Sequence, residues 1–317
     1  MREGKVHSNG IQLHYEDWGK ASDPAILLVC GMSTQLIHWP DSLVQSLVDC
    51  GFRVLRFDNR EAGLSDRSHV KKMPPVVSSF FKRKIGLKIQ ADYDLHTLLK
   101  DAVGLLDALD IEKAHWIGFS MGGMISQLAA IHYPHRVHSL TSIMSSPNDR
   151  DLPSPKLWTL FNLFMPPLGN TDEHIADAIV RSFWNLRSTD FPTAKAELRQ
   201  QAYKIMQRSR RPFAGPLHMM AIMATEGFGK DLHKVDAPTL VIHGSVDPLV
   251  RLAGGKRTAE KIPNAKLIII PGMGHDFPEQ LLPRFSAQIT AHILQGKGLK
   301  NSDADRLEEM NLAAYTH

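Results

Sequence analysis

Ser120 stands in Gly118-Phe119-Ser120-Met121-Gly122-Gly123, where the apolar run Ala114 to Gly118 gives way to a helical pattern starting at Met121. A Gly-x-Ser-x-Gly string arises by chance about once in ten chains of this length, so its context must carry the argument. A sharp strand-to-helix turn pushes a hydroxyl above a sheet, small neighbours let the backbone pass, and the helix N-terminus offers amide donors. The ordinary alternative is a serine N-cap in a glycine-rich turn. A serine is a poor nucleophile until a base takes its proton, and that base needs an orienting carboxylate. Two later loops provide them: His243-Gly244-Ser245-Val246-Asp247-Pro248 and Gly272-Met273-Gly274-His275. The predicted catalytic set is therefore Ser120, Asp247 and His275. Asp247 can also cap the helix that Pro248 opens. The two oxyanion donors are assigned to the amides of Met121, next to the nucleophile, and Met32, in the turn Cys30-Gly31-Met32-Ser33.

These residues need a scaffold that brings distant loops together. After a hairpin from Lys5 to Asp17 turning at Asn9-Gly10, candidate strands are Ala25 to Val29, Phe52 to Phe57, Ala114 to Gly118, Val137 to Met144, Thr239 to His243 and Lys266 to Ile270. They are continuously apolar, as strands buried on both faces are. Helical patterns over His38 to Cys50, Tyr93 to Leu109, Met121 to His132, Leu249 to Ile262 and Pro278 to Leu294 alternate with them. That order predicts an α/β fold with a mostly parallel central sheet flanked by helices. Each catalytic candidate then falls at the carboxyl end of a strand, where open sheets bind ligands.

Two stretches break the alternation. Residues 148–232 hold four helix-like segments and no strand, which predicts a helical cap inserted into a core of residues 1–147 and 233–296, with a polar C-terminal tail at 297–317. A helical pattern recurs in that tail over Asp305 to Tyr315. The second stretch, Arg67 to Gln90, reads as a long loop or a short helix. The cap is rich in methionine and aromatic side chains. Phe161, Trp184, Met219 and Met223 from the cap, with Trp39 after the oxyanion turn, are the expected pocket walls. An adaptable apolar pocket without fixed charge selectivity suits an apolar acyl group better than a charged sugar or phosphate.

Composition narrows the class. The chain has 317 residues, 43% hydrophobic and 22% charged, which excludes coiled-coil, collagenous and disordered classes. Lys and Arg number 37 against 33 Asp and Glu, a net charge of +4, too weak a bias to argue for nucleic acid. No leader or membrane-length apolar run stands out, and Cys30 and Cys50 make no disulfide framework or Cys-x-x-Cys pair, so a soluble, cytoplasmic protein is expected. Cys30 reads as a small buried hydrophobe. His132, His135 and His138 are split by the helix-ending Pro134, and neither a metal nor an organic cofactor is expected. The charge is also localised. Arg67, Lys71, Lys72, Lys82, Arg83, Lys84 and Lys88 fall between Arg67 and Gln90 with no Asp or Glu among them. Interleaved with Val76, Val77, Phe80, Phe81, Ile85 and Leu87, they make this segment a candidate for peripheral contact with an anionic membrane, a solvated face being the ordinary reading.

Taken together, the Ser120 elbow, the Asp247 and His275 loops, Gly31-Met32 with Trp39-Pro40, Arg56-Phe57-Asp58-Asn59-Arg60-Glu61-Ala62-Gly63-Leu64-Ser65 and His132-Tyr133-Pro134-His135-Arg136-Val137 resemble the α/β-hydrolase fold over nearly the whole chain, and most of all its branch of aclacinomycin methylesterase-like carboxylesterases. That resemblance implies a serine esterase acting through an acyl-enzyme on a small apolar ester. Lactonase, peptidase, perhydrolase and carbon–carbon bond hydrolase activities share the same triad. A ligand-binding protein that keeps the shape without turnover is the alternative from another class. Asp58 and Arg60, at a strand end, read as braces for the site loops. Oligomeric state is left open.

Overall fold

The computed structural model describes residues 1–67, 72–211 and 214–295. Lys71 and the tail, with its helical pattern over 305–315, lie outside them. Eight strands form one sheet in the order β1-β2-β4-β3-β5-β6-β7-β8. β1 (Arg2–Ser8) and β2 (Ile11–Trp18) make the hairpin, joined through Asn9 and Gly10 at φ 46° and 82°. Positive φ at both central residues gives the turn whose twist matches the flanking strands. β2 runs antiparallel to β4 (Arg53–Phe57). From there β3 (Ala25–Val29), β5 (Ala114–Phe119), β6 (Val137–Ile143), β7 (Thr239–Gly244) and β8 (Lys266–Ile270) are all parallel.

The sheet separates two cores because side chains alternate between its faces. Leu27 and Val29 of β3 and Trp116 of β5 join one cluster with α3 (Leu95–Ala108) and α4 (Met121–His132). Ile26, Leu28, Ile117 and Phe119 point the other way, onto α1 (Asp41–Asp49) and α10 (Leu282–Gln295). Ten consecutive residues of α4, Met121 to Ala130, are buried, so this helix is enclosed on all sides and its N-terminus is rigidly held. Arg67 to Gln90 contains a helix, α2 (Val76–Lys84). Among the described residues four more α-helices run between β6 and β7: α5 (Leu157–Phe164), α6 (Asp172–Leu186), α7 (Lys195–Arg208) and α8 (Ala214–Ala224). α6 and α7 share a small core of Ala176, Val180, Leu198, Ala202 and Met206, whereas α8 buries Leu217 and Ala221 in the main core. The insert is therefore anchored through α8. α9 (Leu252–Lys261) connects β7 to β8.

Candidate active site

Ser120 occupies a single-residue hinge between β5 and α4, at φ 54° and ψ −124°. A non-glycine residue there costs about 1–3 kcal/mol and persists only where its surroundings over-determine it. They do: the Ser120 amide donates to Ile143 O (2.9 Å), and Ser120 O accepts from Ser145 Oγ (2.7 Å) and the Gly123 amide (3.0 Å). The flanking glycines are required by close approach. A Cβ at Gly122 would lie 2.1 Å from Val29 O, and one at Gly118 2.2 Å from Gly122 O.

Asp247 is buried on the loop after β7. Its Oδ1 accepts from the Leu249 and Val250 amides (2.8 and 2.9 Å), and its Oδ2 accepts from His275 Nδ1 (2.7 Å). His243, wholly buried, donates Nε2 to Val250 O (2.7 Å) and lies 3.5 Å from Asp247 Oδ2. Burial alone would raise the Asp247 pKa, but the neighbouring His275, with its hydrogen bond, and the nearby His243 outweigh it and hold the carboxyl below its usual range. Asp247 is thus a fixed anion that commits His275 Nδ1 to donating and leaves Nε2 free to act as a base. Among the described residues Ser120 Oγ makes no hydrogen bond to His275. Such bonds are often long without substrate and tighten when it binds.

The His275 loop is tied to the helical insert. The His275 amide donates to Leu186 O (2.7 Å) at the end of α6, and the Thr189 amide to Gly272 O (2.8 Å). Asp276 accepts from the Ser188 hydroxyl and amide (2.6 and 3.0 Å), while Ser188 Oγ accepts from the Gly274 amide (2.9 Å). A Cβ at Gly274 would meet Leu186 O at 2.4 Å, which explains the glycine beside the histidine.

Met32 lies beside Ser120 in the wall of one cavity of ≈190 Å³. The Met121 amide opens α4 and has no intrahelical acceptor. Gly31 brings the Met32 turn against the elbow, since a Cβ there would stand 3.2 Å from the Ser120 Cβ. This turn is braced from several directions. Thr34 Oγ1 donates to Gly31 O (2.9 Å) and Asn59 Nδ2 to Cys30 O (3.0 Å). Cys30 itself is buried, and burial pushes its thiol pKa up, so it serves as a small apolar side chain.

His218 of α8 is the functional neighbour that the sequence did not reveal. Fully buried, it accepts the Ser33 amide at Nδ1 (3.0 Å). Its Nε2 must then carry the proton, which it gives to Arg60 O (2.8 Å). Burial pushes its pKa down to about 4, so the ring stays neutral and keeps that tautomer. The only sequence signal was a histidine in an otherwise apolar helix. Asp58 is a second hub: its carboxylate accepts the Leu36 and Leu64 amides (2.8 and 2.9 Å) and pairs with Arg208 of α7 (2.8 Å). Burial would raise its pKa, but His14, Arg208 and these amides together hold it low. Arg60 instead pairs with buried Asp101 through two contacts of 2.6 Å.

Of the predicted pocket residues, Met219 and Met223 line the cavity with Met32, Ser120, Met124 and Ile222. Three others do not. After the short turn Leu36–His38, Trp39 is carried under the sheet and fully buried against Phe119 and Phe277 (ring centroids 5.0 and 5.2 Å), its carbonyl accepting Arg56 Nη1 (2.6 Å). Phe161 is 54% exposed and stacks on Trp158 at 5.4 Å, because α5 turns Leu160 rather than Phe161 toward the cavity. Trp184 lies under the cations of Arg187 and Lys195 at 3.6 and 4.6 Å. The expectation of a wall without charge also needs correction: Arg83, Lys84, Asp149, Arg150 and Arg251 belong to the lining. Arg150 is paired with Glu226 and Asp149 with Arg257.

The buried histidines imply acid sensitivity. His218 and, on α10, His292 are both pushed from 6.5 down to about 4 by burial. The unfolded chain takes up their protons near pH 6.5 while the folded one refuses them until about pH 4. Their stabilisation is complete above pH 6.5 and is lost as pH falls toward 4, by roughly 3 kcal/mol per histidine. Urea midpoints measured across this window are expected to fall, and His292→Leu to flatten the fall by one proton's worth.

A parallel sheet with a serine elbow after β5 and an Asp–His pair after β7 and β8 defines the α/β-hydrolase class. The family model described as alpha/beta hydrolase fold matches residues 24–280, and the chain belongs to that family. Rhodomycin D methylesterase of Streptomyces peucetius is 26% identical over 307 residues, covering 90% of this chain and 96% of its own. The 3-oxoadipate enol-lactonase 1 of Acinetobacter baylyi is 25% identical over 255 residues, covering 80% and 81%. Among solved structures, the enol-lactonase from Burkholderia xenovorans LB400 matches with a TM-score of 0.70 at 21% identity, over 92% of this chain and all of that one.

Proposed function

We propose that this chain is a serine hydrolase that cleaves carboxylic esters through an acyl-enzyme, with Ser120 as nucleophile, His275 as base and Asp247 as its orienting anion. The observation that carries the reading is Ser120 held at positive φ in the wall of the cavity that it shares with Met32, in a chain where Asp247 already fixes the His275 tautomer. Ser120 Oγ attacks the ester carbonyl as its proton passes to His275 Nε2. The Met32 and Met121 amides hold the oxyanion. The C–O bond to the alcohol then breaks, with His275 returning the proton to the leaving oxygen. Water repeats the sequence on the acyl-enzyme and releases the acid.

The methionines at 32, 124, 219 and 223 favour an apolar acyl group or the methyl ester of an apolar acid. We assign residues 148–232 the role of cap over this cavity, since Met219, Ile222 and Met223 of α8 and Leu160 of α5 line it. Lactones belong on the same trial panel, because their opening is the same acyl transfer with a tethered alcohol and an enol-lactonase is among the relatives. A cytoplasmic location is part of the proposal, supported by Cys30 and Cys50 both being free thiols. Among the described residues no helix is long and apolar enough to cross a membrane.

The test is a panel of p-nitrophenyl acetate, butyrate and octanoate, methyl esters of aromatic acids and simple lactones. Turnover of at least one class, lost in Ser120→Ala, is expected; no turnover of any would count against the reading. His218→Leu removes the acceptor that holds the Ser33 amide, and with it the aim of the Met32 turn. It is expected to lower kcat about tenfold with little change in KM, since a turn is loosened rather than a donor deleted. Initial rates with the butyrate ester check this.

A further inference from the structure

We propose that α2 and α5 form a docking surface for an anionic lipid membrane, placing the mouth of the Ser120 cavity against the bilayer. Val77, Phe81 and Ile85 recur at intervals of four, on one face of α2 and its C-terminal cap, and are 71%, 64% and 75% exposed. The opposite face is committed inward. Arg83 donates to Ile222 O (2.7 Å) at the end of α8 and to Asn148 O (2.8 Å), and Phe80 packs with Ile89, Met220 and Met223. α2 is therefore fixed in place, with an apolar stripe left facing solvent.

Two further observations name the occupant. The first is charge. From residue 72 to 90 the chain has five basic side chains and no acidic one, and Lys82, Lys84 and Lys88 are exposed around the stripe. A second copy of this chain or an ordinary protein groove answers an apolar stripe, whereas apolar side chains ringed by lysines that make no ion pair among the described residues suit acyl chains beneath anionic headgroups. The second is position. Phe80 and Lys84 of α2 and Leu160 of α5 line the same cavity as Ser120, and α5 adds the stacked pair Trp158 and Phe161, 66% and 54% exposed. The amphipathic indole of Trp158 favours the headgroup level. The exposed apolar groups thus sit on the two helices, α2 and α5, that both contribute to the wall of the cavity a poorly soluble ester would enter.

The experiment is co-sedimentation of the full chain with phosphatidylcholine vesicles, with and without about 30% phosphatidylglycerol, at about 50 mM and 500 mM salt. Wild type is expected to sediment with the anionic vesicles at low salt and to be released at high salt. Each lysine contributes roughly fivefold to partitioning, so Lys82→Gln with Lys88→Gln should weaken it about 25-fold. Val77→Ser with Phe81→Ser should weaken binding even at low salt. These four residues lie outside the cavity wall, so hydrolysis of soluble p-nitrophenyl butyrate should be unchanged, which also shows that the variants fold. The vesicle assay needs no turnover and can be repeated with Ser120→Ala, so it stands apart from the esterase reading. Wild type left in the supernatant, equal binding to neutral vesicles, or undiminished binding by both variants would overturn the proposal. So would a wild-type dimer in gel filtration that Phe81→Ser dissolves without any vesicle binding, which would assign the stripe to a second copy.

Discussion

Ser120→Ala is expected to lower kcat on a p-nitrophenyl ester by roughly a million-fold, because the other members of a triad have no work once the nucleophile is gone. The substitution removes one oxygen and keeps the Cβ, so the backbone cost of φ 54° and the contacts of the elbow are unchanged and the fold should be retained. Ser120→Gly makes the contrast sharper. It should be as inactive, yet more stable by about 1 kcal/mol, because glycine occupies positive φ without a steric penalty. Thermal melts of the two variants beside wild type separate loss of chemistry from loss of structure. A variant that is inactive and also much less stable would point to a structural serine.

Asp247→Asn is expected to cost about 10⁴-fold in kcat with the fold intact. The reason lies in the two ends of the carboxylate. Asn Oδ1 can still accept the Leu249 and Val250 amides, so the loop keeps its cap. The amide NH₂ would instead face His275 Nδ1, which now donates to Asp247 at 2.7 Å. A donor there forces the proton to Nε2, where the base needs a lone pair. The imidazolium formed during attack would also lose its buried counter-ion. Rates measured beside circular dichroism decide the point; turnover like that of wild type would mean that another carboxylate orients the histidine.

Those two predictions rest on residues that local sequence reveals. The elbow is legible because the chemistry demands glycines on both sides of the serine, and the close approaches at Gly118 and Gly122 show why. The strands are legible because burial on both faces leaves continuous apolar runs, and Asn9-Gly10 is legible because few pairs tolerate two positive φ values. The hubs behind the site were partly legible. Asp58 could be seen as a brace, but Arg208, its partner from α7, is 150 positions later and carries no local mark. His218 reaches the Ser33 amide across 185 positions, and nothing near either residue announces the contact. Trp39 shows the opposite error. An aromatic residue after the oxyanion turn suggests a pocket wall, but the intervening Leu36–His38 turn rotates it into the core. The charged part of the cavity wall was missed because α2, the loop at 149–150 and the residue that caps α9 meet there only in three dimensions.

The central claim is that Ser120 alone is the activated nucleophile. Incubation with a fluorophosphonate probe followed by intact-mass measurement and peptide mapping tests it most directly, because the probe reacts with a hydroxyl only where a base and an oxyanion site already serve it. One adduct per chain on the peptide containing Ser120, absent in Ser120→Ala and strongly slowed in Asp247→Asn, is the predicted result. No adduct, or an adduct that survives Ser120→Ala, would contradict it.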